Sequence, residues 1–138
     1  MNFSQKRDMD LIRDLLLQIE GGKKSFQLLD RPSANALGIE LEEALSDEQV
    51  HQISLHLDML ENAGFIGLQK LSGGYWRITE LTWAGHDFID SVRDPEIWKR
   101  AKGAAAKAGG FTVGLLAAAS KGLIKSQMQT HLGFEMEF

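Results

Sequence analysis

A chain of 138 residues with 43% hydrophobic content holds one domain's worth of core and a short appendage, which excludes two full domains. It has no cysteine, so a disulfide framework and a thiolate zinc site are both excluded, and the cytoplasm is the expected compartment. The net charge of −4 hides an asymmetry: residues 40–63 carry seven acids and no Lys or Arg, whereas residues 97–138 carry six basic groups and two acids.

No membrane association is expected. The N-terminal MNFSQKRDMDLIRDLLL breaks its apolar residues with Lys6, Arg7, Asp8, Asp10, Arg13 and Asp14, unlike a signal-peptide core. The run FTVGLLAAAS from Phe111 is far shorter than the roughly 20 residues a span requires.

From Lys6 to Glu20, Ile12, Leu15, Leu16 and Ile19 recur at helical spacing, and Gly21-Gly22 is a stop signal. The following KKSFQLLDRP has room for one short strand before Pro32, and no helix is assigned between Pro32 and Leu45. Ser46, Asp47, Glu48 and Gln49 form a capping-box start, predicting a long helix from Asp47 to about Ala63. On that helix Val50, Ile53, His56, Leu57 and Leu60 share one face, opposite a polar and acidic face. His56 is therefore expected to be a hydrogen-bonded core residue.

In FIGLQKLSGGYWRITEL, two runs rich in β-branched and aromatic residues flank Ser72-Gly73-Gly74, the pattern of a hairpin. A helix should then run from a Thr82 cap to Arg93, and another from Pro95 to Gly109. A last helical segment extends from Phe111 to about His131. These final two helices make a basic, alanine-rich arm.

The stretch LTWAGHDFIDSVRD concentrates chemistry-bearing side chains. A helical wheel sets Leu81, Gly85, Phe88, Ile89 and Val92 on the core face and Trp83, His86, Asp87 and Asp90 opposite. A large indole on the polar side is expected to be covered by the arm or by a second chain. Adjacent His86 and Asp87 diverge by about 100° on a helix and form no dyad with each other. No HExxH pattern is present, and GGKKS at Gly21 lacks the glycine spacing and preceding strand of a phosphate loop. Neither an enzyme nor a metal or cofactor site is expected, and no small-molecule substrate.

The element order suggests a winged helix-turn-helix, a fold whose third helix ordinarily enters the DNA major groove. Here that helix carries Asp47, Glu48, Asp58 and Glu61 without one Lys or Arg, and each of these carboxylates repels phosphates. DNA contact would fall instead to Lys70 and Arg77 on the wing and to Lys99, Arg100 and Lys102 in the arm.

The segments KRDMDLIRDLLLQIE at Lys6, HLDMLENAGFI at His56 and LTWAGHDFIDSVRDPEIW at Leu81 together resemble the bacterial and phage family known as domain of unknown function 2513, over Lys6 to about Gly133. The resemblance implies a small, often prophage-borne, winged-helix-like protein, and carries no activity or catalytic residue with it. The chain departs from the family mainly in its longer link, KKSFQLLDRPSANALGIELEEAL.

The resulting expectation is an α+β, mainly helical protein. A winged helix-turn-helix-like domain with a two-stranded wing occupies residues 1–94, and a helical arm for dimerisation or docking occupies 95–138. Its function would be that of a non-enzymatic regulator or adaptor working through protein contacts, as a homodimer or with a protein partner. The interaction surface would comprise Trp83, His86, Asp87, Asp90, Trp98, Leu116, Leu123 and Ile124. One alternative is a DNA-binding repressor using the wing and arm cations. Another is a phage factor that blocks a host nucleic-acid-binding protein through the acidic surface at 40–63.

Overall fold

The computed structural model describes residues 2–40 and 45–132. Its elements in chain order are α1 (Met9–Glu20), β1 (Ser25–Gln27), α2 (Arg31–Leu37), α3 (Asp47–Asn62), β2 (Ile66–Lys70), β3 (Tyr75–Leu81), α4 (Trp83–Val92), α5 (Pro95–Ala108) and α6 (Val113–Leu132). The protein is thus mainly helical with a small antiparallel sheet, an α+β arrangement. Two compact units, Met1–His86 and Asp87–Phe138, divide within α4.

The first unit is built on α1, α3 and the sheet. The Asp8 carboxylate caps α1 by accepting from the amides of Asp10 and Leu11, so the helix begins three residues later than Lys6. Its apolar stripe of Ile12, Leu15, Leu16 and Ile19 is buried, as are Leu57 and Leu60 of α3. Burying each such side chain fully contributes about 1.5–3 kcal/mol relative to exposure.

The capping box at the start of α3 forms in full, with the Gln49 amide donating to Ser46 Oγ at 3.1 Å and the Ser46 amide donating to Gln49 Oε1 at 2.9 Å. His56 is completely buried and fully engaged. Its Nε2 accepts from the Asp8 amide at 2.8 Å, which leaves Nδ1 to donate to the Gln52 carbonyl at 2.7 Å. The ring therefore ties α3 to the cap of α1, and both nitrogens are used.

Two features depart from the sequence reading. The sheet has three strands in the order β1-β3-β2, so the expected two-stranded wing is widened by β1, which pairs Phe26 with Trp76. A second helix, α2, lies where none was assigned. Asp30 caps it by accepting from the Ser33 amide, Pro32 lies in its first turn, and Gly38 ends it at φ 68°, in the left-handed region that glycine tolerates.

The hairpin turn closes through Gly73 and Gly74, at φ 76° and 75°. Beyond it, Thr82 caps α4 as its sequence position implied: Oγ1 accepts from the Gly85 amide at 3.1 Å and donates to the Gly64 carbonyl. Gly85 packs against the Phe65 carbonyl, where a Cβ would collide.

In the second unit α5 and α6 pack together. Asp94 caps α5 by accepting from the amides of Glu96 and Ile97, both at 2.9 Å, with Pro95 in the first turn. Ile97, Trp98, Ala101 and Ala105 are buried on α5, and Leu116 and Ser120 on α6.

Candidate functional site

The five cations assigned to nucleic-acid contact do not form one set. Lys70 and Arg77 stand side by side across the hairpin in sequence terms, yet the register pairs Lys70 with Trp76 and Gln69 with Arg77. Successive side chains on a strand point to opposite faces. Lys70 and Arg77 are therefore on opposite faces of the sheet.

Their surroundings differ accordingly. The Lys70 ammonium lies 3.0 Å from the Asp58 carboxylate of α3 and 4.4 Å from the centre of the Trp76 ring. Both partners are about half exposed, so the ion pair is worth less than about 1 kcal/mol. It nevertheless engages that cation with an acid of α3. Arg77 keeps no ion-pair partner among the described residues and borders a groove of about 510 Å³ with Lys23 and Lys24, which follow α1. Nothing local in the sequence announces this neighbour of Lys23 and Lys24, more than fifty residues away.

In the arm, Lys99 and Arg100 are exposed on α5, while the Lys102 ammonium lies 5.6 Å from the centre of the Trp98 ring.

The proposed interaction surface also divides. Trp83, His86, Asp87 and Asp90 lie on the exposed face of α4, and Gly85, Phe88, Ile89 and Val92 are buried, as the helical wheel required. Trp83 is 84% exposed. Trp98 and Leu116 need correction: at 5% and 0% exposure they are buried, because each lies on the inner stripe of its helix. Leu123 and Ile124 are half-buried on α6.

No three His, Asp or Glu side chains among the described residues converge as metal ligands. No helix among them is long and apolar enough to cross a membrane. A second groove of about 630 Å³ runs along β1 between α1 and α3, lined by Leu11, Leu15, Phe26, Ile53 and Tyr75 among others, and Lys23 is its one cationic side chain among the described residues.

A family model described as "Hypothetical protein (DUF2513)" matches residues 6–112. The chain belongs to the DUF2513 family. The matched range takes in α1 to α5 and stops before α6, so it ends earlier than the resemblance to Gly133 read from the sequence. A relative from Haemophilus influenzae described as an uncharacterized protein is 28% identical over 100 residues, covering 70% of this chain and 75% of its own length. No solved structure matches.

Proposed function

We propose that this DUF2513 protein is a non-enzymatic, winged-helix regulator or adaptor of the cytoplasm that works through protein contacts. The order α1-β1-α2-α3-β2-β3 with a β1-β3-β2 sheet supports the winged-helix assignment to residues 1–94. Residues 95–138 then serve as the arm that dimerises or docks.

One observation carries the reading. The helix in the place of a DNA-reading helix, α3, bears Asp47, Glu48, Asp58 and Glu61 and no cation, and Asp58 further engages the wing lysine Lys70. Four carboxylates brought to a duplex release no counterions and repel its phosphates. On α4, the exposed Trp83 beside His86 offers the kind of aromatic anchor that protein interfaces favour.

A second reading, direct DNA binding as a repressor, is favoured by Arg77, which has no ion-pair partner among the described residues, and by the exposed Lys99 and Arg100. Light-scattering mass of the purified chain, alone and with a random DNA duplex at low and physiological salt, separates the two. The adaptor reading expects no duplex complex at either salt, and a protein–protein complex weakened by Trp83→Ala. A duplex complex that dissociates with salt and weakens with Arg77→Glu would replace it with the repressor reading.

A further inference from the structure

We infer that the groove between the end of α1 and strand β3 is a binding site for a phosphate group. It is lined by Ile19, Gly22, Lys23, Lys24, Arg77 and Thr79, among others, and lies wholly within the first unit. This inference does not depend on the adaptor reading.

The charge is concentrated, with three cations against the one carboxylate of Glu80 in the same groove. Lys23, Lys24 and Arg77 all border one concavity; Lys24 and Arg77 have no ion-pair partner among the described residues, and the Lys23 ammonium rests 4.5 Å from the centre of the Phe26 ring, within a side-chain rotation of the opening. Three like charges around a single hollow repel one another, and an anion in that hollow relieves the repulsion. The fold brings them together through two neighbouring contacts: the Ile78 amide donates to the Lys24 carbonyl at 2.8 Å, and β1 sets Ser25 opposite Arg77. Gly22, at φ 113° with open space around its Cα, turns the chain at the rim without placing a side chain in the opening.

The donor set favours phosphate over a carboxylate. A guanidinium presents a planar fork, and each ammonium is a mobile point donor. Donors approaching from several directions match a tetrahedral group with three acceptor oxygens better than a planar group with two. The floor of Ile19, Ile78 and Leu81 is apolar, and about 510 Å³ accommodates the body of a phosphorylated small molecule. Glu80 also lines the groove and opposes the anion, so the site has a built-in negative control.

The free phosphorylated molecule and the phosphodiester of a nucleic-acid strand share this chemistry, and titration distinguishes them. The amide spectrum of the full chain would be followed at low salt with inorganic pyrophosphate, a nucleoside monophosphate and a single-stranded oligonucleotide, with sodium chloride at matched ionic strength as reference. The expected result is saturable shifts at Gly22, Lys23, Lys24, Arg77 and Thr79 with pyrophosphate, stronger than any chloride response. Arg77→Gln should weaken pyrophosphate roughly tenfold, the loss of one charge-assisted contact, and Glu80→Gln should strengthen it. Saturation by the monophosphate assigns a small-molecule source; saturation only by the oligonucleotide and pyrophosphate assigns a polynucleotide. Shifts that are absent, that chloride reproduces, or that Glu80→Gln leaves unchanged would overturn the inference.

Discussion

The two longest helices, α3 and α6, solve the burial problem in different ways. In α3 a capping box fixes the start, and one stripe of His56, Leu57 and Leu60 is buried with the histidine's two nitrogens both bonded. In α6 the Thr112 hydroxyl accepts from the Leu115 amide, but among the side chains described burial is confined to Leu116 and Ser120, while Val113, Leu123, Ile124 and Met128 remain half-buried. Ser120 is fully buried, and its hydroxyl has no hydrogen-bond partner among the described residues. The difference separates a helix whose inner face is fully specified from one whose apolar residues are spread around its circumference. Such a spread suits the arm to dimerisation or docking, the role proposed for it.

Substitutions on the two helices sharpen the contrast. The largest effect should follow Leu57→Ala, which empties a site with no exposure and is expected to cost about 2–5 kcal/mol in denaturant unfolding. The matching Leu123→Ala on α6 should cost about 1 kcal/mol or less in the isolated chain, since its side chain is already partly in water. Equal losses at the two positions would erase the distinction.

Ser120→Ala should act in the opposite direction. Removing a buried, unpartnered hydroxyl and substituting a better helix former should stabilise the second unit by about 1 kcal/mol, read as a higher denaturation midpoint. Destabilisation would mean that the hydroxyl has a bonding role.

The smallest effect concerns α2 and pH. The Ser33 hydroxyl and then the Ser33 amide, both donating to Asp30, hold its carboxyl below the ordinary value of 3.8. A depressed folded value means that the contribution is present above the unfolded value and is lost as the pH falls through the folded one. The Ser33 amide should therefore lose protection from hydrogen exchange only at pH below 3.8, and Asp30→Asn should flatten that dependence.

Local signals made much of the architecture legible. The stripe of α1, the Ser46 and Gln49 box, the hairpin glycines, the Thr82 cap and the two faces of α4 each depend on residues within a turn or two of one another. The helix α2 had such signals as well, in Asp30, Pro32 and Gly38, but with seven residues and Ala34 its only buried side chain it offered no apolar period to read.

The sequence by itself determined the five longer helices, the apolar faces of α1, α3 and α4, and that α3 is acidic. Tertiary structure decided that β1 joins the hairpin, that Lys70 is engaged by Asp58 while Arg77 meets Lys23 and Lys24, and that Trp98 is buried while Trp83 is not. The reason is one of range. Caps and periodicities act through neighbours along the chain, whereas strand register sets which face each side chain takes, and a shift of one residue exchanges the faces.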